Sequence, residues 1–324
     1  MAAQAIYQRY RRSLTVSGVD FSLLVSVTAG IVVSLAVWAA FRDQFAFPAA
    51  ISDRFPAADW INQAEDWLEH RIKDHTRAIS GAVAAVLGAI EEFLWLKPWP
   101  VVVLAVTLPA LAYSGLRLAL FALFGVMFWG MMDMWDPAMS SLALMLVSVA
   151  ISVFLGVILG VLAAQNDTFE AVLRPILDTM QTMPAFVYLM PAMFFFGFGA
   201  GPAAVAVVIY AMPPVVRLTS LGIRQVPANT LEAAQSFGST RLQMMWKVQL
   251  PQAMPSIMLG INQTIMMALG LVVLATFIGA GGLGEEVWKA IRRLKVGWSL
   301  EAGLCIVFMA IILDRITLAM SDPT

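Results

Sequence analysis

Long apolar stretches separated by polar connections dominate the chain. The first runs from Val19 to Phe41. It exceeds the roughly 7–15 apolar residues of a signal peptide, so the sequence predicts a retained anchor helix. Seven later stretches are long enough to span a membrane, namely 98–114, 117–135, 138–164, 175–198, 202–223, 254–279 and 299–320. With the anchor, they predict about eight transmembrane helices.

The segment 42–97 differs from the rest of the chain. It holds the densest charge in the sequence, yet apolar residues recur at helical spacing. They are Trp60, Ile61, Ala64, Trp67, Leu68 and Ile72. This pattern predicts an extracytoplasmic or interfacial amphipathic helix with tryptophans at headgroup level. His70 and His75 are five residues apart and fall on different helix faces, so we predict no metal site.

Residues 78–96, at the end of this segment, are apolar but contain Glu91 and Glu92. Two carboxylates are costly in hydrocarbon. We therefore expect an interfacial or re-entrant segment here and do not count it among the eight spans.

Composition sets the fold class. Of the 324 residues, 60% are hydrophobic and 13% charged, and the mean hydropathy is +0.81. Soluble domains average about 45–50% apolar and about 25% charged residues, so the sequence predicts an all-α polytopic membrane protein. A net charge of −1 without a basic face argues against a nucleic acid partner. The single cysteine, Cys305, excludes an intrachain disulfide.

Several function classes lack their signatures in this sequence. No HExxH zinc pair and no GxSxG serine elbow is present. No lysine follows a glycine, so the chain has no phosphate-binding loop and cannot be an ATPase by itself. An ATP-independent secondary transporter or channel for small polar solutes stays open as an alternative. Such a transporter needs coupling acids within its spans, whereas Asp133, Asp136 and Asp314 lie near predicted ends.

The polar connection 225–253 is the longest among the later spans, and it predicts two short helices. Asn229 and Glu232 have the spacing of a capping box. Gly238 can end the first helix in a left-handed turn. Ser239 or Thr240 can then cap a second helix.

We expect Pro251 to end that second helix. The helix pair has no core of its own in which to bury its apolar residues, which are Leu231, Phe237, Met244 and Met245. From local physics alone, the connection is either an ordinary amphipathic loop or a docking surface.

Glu232, Ala233 and Ala234, followed by Gly238 and then by Leu250 and Pro251, resemble the EAA loop of bacterial ABC importer permeases, in letters and in spacing. The resemblance implies a cytoplasmic loop whose first helix lies in a cleft of a separate ATPase. Phe237 lies within the same motif. The resemblance also decides the orientation, which ten basic residues on each side leave open. With eight spans, both termini are then cytoplasmic.

Further segments are similar to the permeases of the glycine betaine/proline/choline importers, and the likeness covers about residues 90–320. They are 178–188, 211–219, 260–266 and 281–284. The resemblance implies a type I ABC importer permease domain over 98–320, with the coupling loop 225–253. The region 1–41 is then a cytoplasmic amino terminus with its anchor, and 42–97 an extracytoplasmic or interfacial segment.

The same resemblance implies a non-catalytic transport subunit in the bacterial inner membrane. Its partners are an ABC ATPase subunit, an extracytoplasmic substrate-binding protein, a second permease copy in a homodimer, and the lipid bilayer. The ATPase binds ATP and Mg²⁺, and this chain carries no cofactor. The cargo is a quaternary amine or related osmolyte such as glycine betaine, choline, proline betaine, carnitine or trimethylamine N-oxide.

Polar residues within the spans are candidates for the translocation pathway, because polar groups in hydrocarbon usually face a cavity or the bundle interior. They are Gln181, Thr182, Asn262, Gln263 and Thr264, with the aromatic Tyr188. Hydrogen bonding between helices is the alternative role. Pro184 and Pro191 are seven residues apart and predict a kinked helix beside the route. The amphipathic stretch 285–295 is a candidate gate or docking face for the binding protein.

Overall fold

The computed structural model describes residues 15–16, 19–41 and 57–321. Most of the predicted cytoplasmic amino terminus, residues 1–14, and residues 42–56 of the predicted amphipathic segment lie outside this range. The chain divides into two units, residues 1–67 and 68–324. In the first unit, strands β1 (Thr15–Val16) and β2 (Val19–Asp20) pair antiparallel and precede helix α1 (Phe21–Phe41). Residues 23–40 of α1 are exposed, as expected of an anchor helix.

A 40-residue helix, α2 (Ala57–Leu96), begins in the first unit and continues into the second. The second unit is otherwise built of helices α3 (Trp99–Ser114), α4 (Leu116–Met131), α5 (Trp135–Gln165), α6 (Asp167–Thr182), α7 (Leu189–Phe196), α8 (Ala200–Ala211), α9 (Pro213–Arg224), α10 (Ala228–Ser236), α11 (Arg241–Met244), α12 (Leu250–Leu274), α13 (Gly282–Arg292) and α14 (Val296–Ser321). Short 3-10 turns occupy Ala185–Tyr188 and Ala275–Ile278.

Six helical stretches of the described residues are long and apolar enough to cross a membrane. They are Leu23–Ala40, Arg71–Leu96, Trp135–Gln165, Ala200–Arg224, Arg241–Ile278 and Val296–Met320. Three shorter apolar helices cover Trp99–Ser114, Leu116–Met131 and Ala185–Phe196. The predicted all-α polytopic architecture is therefore confirmed.

The predicted single span 175–198 is wrong, because the helix is interrupted at Pro184. Helix α6 ends at Thr182, and Met183 is extended with ψ of 135°. A residue before proline is driven out of the helical region by the proline ring. The chain resumes as the 3-10 turn at Ala185, so Pro184 and Pro191 do not share one kinked helix.

Residues 78–96 form part of the uninterrupted helix α2, which excludes a re-entrant reversal there. The Thr76 hydroxyl donates to the Phe195 carbonyl at 2.6 Å, and the Ser140 hydroxyl donates to the Glu91 carboxylate. Gly201, at the start of α8, lies against Ser80. These contacts lie at the end of the bundle opposite the loop 225–253. The Glu91 carboxylate, which favoured an interfacial segment in the sequence, has a partner on α5.

Helices α5, α9 and α12 approach closely at glycines to form the centre of the second unit. A Cβ on Gly160 would lie 2.6 Å from Thr219 Cβ and 2.7 Å from the Val216 carbonyl oxygen. A Cβ on Gly260 would lie 3.0 Å from Val215 Cα. Small residues let membrane helices pack backbone to backbone, since lipid supplies no hydrophobic drive for association.

We predict that Gly160→Ala destabilises the permease, because the new methyl group overlaps α9. Overpacking of this kind typically costs about 1–3 kcal/mol. Gly270→Ala is the matched control, because nothing lies within 4 Å of a Cβ at Gly270. Thermal unfolding of the two purified variants in detergent compares them. Equal unfolding midpoints would show that the α5–α9 contact tolerates separation.

Candidate functional site

The first helix of the loop 225–253 begins in a different way from the one that the sequence predicts. Pro227 precedes helix α10, and its carbonyl accepts from the amides of Thr230 and Leu231. With its φ fixed near −59°, Pro227 starts the helix two residues earlier than the predicted cap at Asn229. The predicted Asn229–Glu232 capping box is therefore wrong: Asn229 Oδ1 accepts from the Thr230 amide, and Glu232 lies beyond the first turn.

The turn after α10 confirms the predicted role of Gly238. Gly238 has φ of +76°, its amide donates to the Gln235 carbonyl, and the Ser239 amide donates to the Ala234 carbonyl. This pair of bonds is a Schellman motif, which satisfies two orphan carbonyls and requires a left-handed residue. Glycine takes up that conformation without a Cβ penalty.

Thr240 begins the second helix with a complete capping box. Its hydroxyl accepts from the Gln243 amide at 3.3 Å, and its amide donates to Gln243 Oε1 at 2.9 Å. Pro251 does not end this helix, contrary to the prediction. A π-helical turn over Met245–Gln249 joins α11 to α12, and Pro251 lies in the first turn of α12. The wider π turn accommodates the proline ring, so the loop runs into the span without a break.

Three large apolar side chains project from the loop, namely Phe237 at the end of α10, Leu242 on α11 and Trp246 in the π turn. Phe237 is 90% exposed, Leu242 70% and Trp246 66%. The Glu232 carboxylate is exposed as well, and within residues 57–321 it has no hydrogen-bond or ion-pair partner. We call Glu232, Phe237, Leu242 and Trp246 the docking surface, after the role that the sequence predicts for this loop. Ala233 is exposed beside Glu232, and Ala234 is half-buried.

The apolar residues exposed on the loop differ from the set that the sequence predicts. Met245 is only 6% exposed and packs with Ile223, Ala253 and Ile257. Leu231 and Met244 are half-buried, and Leu250 packs against the Met245 cluster. Met245 therefore anchors the second helix to the ends of α9 and α12, and Leu242 and Trp246 take the exposed positions.

Charged residues at the base of the loop were not identified from the sequence. Arg224, the last residue of α9, pairs with Asp167 and Glu170 of α6, and Arg217 pairs with Asp178. A cavity of about 560 Å³ lies between these pairs. The sequence contains one signal for this cluster: Asp167 and Glu170 follow the predicted span 138–164, and Arg224 directly precedes the loop.

The structure does not bring the candidate pathway residues together on one face. Asn262 and Thr264 are buried within the unit, and Asn262 Oδ1 and Thr264 Oγ1 have no hydrogen-bond partner. Gln263 is exposed, as are Gln181, Thr182 and Pro184. Tyr188 is half-buried, and its hydroxyl donates to the Met180 carbonyl at 2.6 Å.

Helix α13 lies at the end of the bundle opposite the docking surface. The Leu283 amide donates to Ser141 Oγ near the start of α5, at 2.8 Å. Lys289 lies 2.9 Å from Glu285 and 3.0 Å from Glu286, and hydrogen bonds to these carboxylates raise the pKa of Lys289. The role of this stretch as a gate or docking face stays a prediction.

Comparison with known proteins shows the family of the chain. Residues 153–322, just over half of the chain, match the family described as the binding-protein-dependent transport system inner membrane component. The chain belongs to this family. It is a multi-pass inner-membrane permease subunit of a binding-protein-dependent ABC importer.

Two relatives are similar over most of the permease. The chain is 47% identical over 266 residues to the glycine betaine transport system permease protein OpuAB of Bacillus subtilis, covering 82% of this chain and 94% of the relative. It is 41% identical over 265 residues to the glycine betaine/proline betaine transport system permease protein ProW of Escherichia coli, covering 82% and 75%.

A solved structure of the MetNI methionine ABC transporter in an inward-facing conformation shares the fold. It has a TM-score of 0.51 and 22% identity, and the match covers 55% of this chain and 91% of that one. It supports the type I permease fold.

We predict that two apolar truncations in the loop differ in their effect on the stability of the permease. Met245→Ala should destabilise the purified permease by about 2 kcal/mol, because it opens a cavity in a buried cluster. Phe237→Ala should leave stability within about 0.5 kcal/mol, as for surface substitutions generally. Thermal unfolding measures both. A larger loss from Phe237→Ala than from Met245→Ala would reverse the assignment of buried and exposed faces.

Proposed function

We propose that the docking surface binds a separate ABC ATPase, and that ATP hydrolysis in this partner drives substrate through the permease. Two features of the loop carry the proposal: the exposed Phe237 side chain, and the exposed Glu232 carboxylate, which has no partner among residues 57–321. An exposed apolar group of this size is characteristic of an interaction surface. ATP and Mg²⁺ belong to the partner, and this chain supplies no catalytic residue.

The local architecture of the loop suits mechanical coupling. The Schellman turn at Gly238 and the capping box at Thr240 fix the angle between α10 and α11. At its two ends the loop continues into α9 and α12 through short connections. A displacement of the docked helices is therefore transmitted to both spans.

For the cargo, we propose a quaternary amine or a related osmolyte. The relatives are permeases for glycine betaine and proline betaine, and another, 35% identical over 280 residues, is the trimethylamine N-oxide transport system permease protein TmoV of Ruegeria pomeroyi. An extracytoplasmic binding protein delivers the cargo at the end that carries α13. Two permease copies form the route, which the exposed side chains of Gln181, Thr182 and Gln263 line.

Reconstitution tests the cargo. The permease, its cognate ATPase and its binding protein are placed in liposomes, and uptake of labelled glycine betaine is measured against choline, carnitine, trimethylamine N-oxide and methionine. We expect ATP-dependent uptake of at least one methylated amine and none of methionine. Uptake that persists without ATP or without the binding protein would favour a secondary transporter.

Two substitutions in the loop test the coupling. Gly238→Val prevents the left-handed turn and misdirects the second helix, so we expect a permease that inserts but neither retains nor stimulates the ATPase. Glu232→Gln keeps the shape and removes the charge. Truncating one side of a buried charged hydrogen bond costs about 2–5 kcal/mol of binding. Because glutamine keeps the shape of the side chain, Glu232→Gln should weaken ATPase binding by no more than this.

Co-purification with the ATPase and uptake by the liposomes measure both effects. Gln252→Ala is the control: this exposed residue is near the end of the loop, in the first turn of α12 and outside the docking surface, and the variant should behave as the unmodified chain does. Normal import by both loop variants would remove the loop from the coupling mechanism.

A further inference from the structure

One guanidinium group joins the ends of three helices beneath the docking surface. Arg224 Nη1 lies 2.7 Å from Asp167 Oδ1, and Nη2 lies 2.9 Å from Glu170 Oε2. Nη2 also donates to the Ala163 carbonyl at 2.8 Å. Arg224 ends α9, Ala163 is in the last turn of α5, and the two acids are in the first turn of α6.

The local chemistry suits an arginine at this position. The last carbonyls of a helix lack intrahelical partners and carry partial negative charge, so a cation at the end of α5 is favourable. Asp167 and Glu170 add two carboxylates at the start of α6. A planar guanidinium has donors for all three acceptors at once, which a lysine ammonium on a flexible stem satisfies less well.

A second pair holds the far end of α6. Arg217, about two turns before Arg224 on α9, pairs with Asp178, about three turns after Asp167 on α6. Helix α6 is thus attached to α9 at both of its ends, with the cavity of about 560 Å³ between the attachments. Its last residues are the exposed Gln181 and Thr182, which the proposed route includes.

The chain between Arg224 and the docking surface is short. Only residues 225–227 separate Arg224 from α10. Val226, in the middle of this connection, is 7% exposed, and the Gln225 amide still donates to the Leu221 carbonyl. Because this connection is short and held in place, a movement of α10 also displaces Arg224.

We propose that Arg224 is a positioning residue that transmits movement of the ATPase-docked loop through α6 to the pathway residues at the end of that helix. This inference rests on the proposed function, and it assigns the transmission to side chains that lie outside the loop. The Met245 cluster forms a separate connection from the loop to α12.

The test separates docking from transmission. Arg224→Gln is compared with Arg224→Lys and with the control Arg174→Gln. Among residues 57–321, Arg174 pairs with Glu170 only, and its side chain is 69% exposed. Each permease is assembled with its ATPase and binding protein in liposomes. The measured quantities are ATPase retained on purification, ATP hydrolysed and substrate imported.

We expect Arg224→Gln to retain the ATPase, while substrate imported per ATP falls by about fivefold or more, the range of coupling between distant sites. Arg224→Lys should fall between this variant and the unmodified chain, and Arg174→Gln should match the unmodified chain. A purely structural role for Arg224 would lower the amount of assembled transporter without changing the ratio of substrate to ATP.

Two results would overturn the proposal. An unchanged ratio for Arg224→Gln would make the charge cluster structural only. Loss of the ATPase to the extent expected for Gly238→Val would make Arg224 part of the docking surface and leave the proposed function intact. If Gly238→Val itself retains the ATPase and imports normally, the proposed function fails instead.

Arg224→Gln leaves the Asp167 carboxylate without its arginine and Glu170 with Arg174 alone, and the variant can fail to assemble. Asp167→Asn is then the deciding variant: the Asp167 side chain is 90% exposed, so we expect its replacement to leave folding intact. We expect a lower ratio of substrate to ATP in this variant, in the same direction as for Arg224→Gln. An unchanged ratio overturns the proposal.

Discussion

The close contact of α9 with α12 is the constraint on which the site depends. The loop 225–253 leaves the membrane from α9 and returns to it through α12, so the separation of these two helices fixes its base. Gly222 lies against Ala253 and Ser256, and Gly260 lies against Val215. A larger residue at either glycine would separate the helices and with them the two attachment points of the docking surface.

Given this base, local chemistry sets the shape of the loop. Its two short helices are ended and begun by backbone and capping bonds that need no tertiary contact, at Gly238 and at Thr240. Met245 then buries the inner face of the second helix. The side chains that stay outside, Phe237 and Trp246 among them, are those for which the chain itself offers no cover. A permease that works only with a partner has this distribution of apolar residues.

The parts of the structure that follow from short-range physics could be predicted from the sequence. Apolar length gave most of the spans, and the turn at Gly238 followed from its residue type and position. The predicted start of α10 is wrong because Pro227, and not Asn229, takes the N-cap position. Met245 is buried and Trp246 is exposed because a π turn changes which side chains face the bundle. A π turn leaves no pattern in the sequence from which this could be predicted. The Arg224 cluster joins residues from three helices, so no single stretch of sequence contains it.

The most direct measurement is photo-crosslinking within the assembled transporter. A photoreactive amino acid is placed at Phe237, on the docking surface, or at Leu294, which is 89% exposed at the opposite end of the bundle. We predict that position 237 crosslinks to the ATPase and that position 294 does not. A crosslink to the ATPase from position 294, or none from position 237, would contradict it.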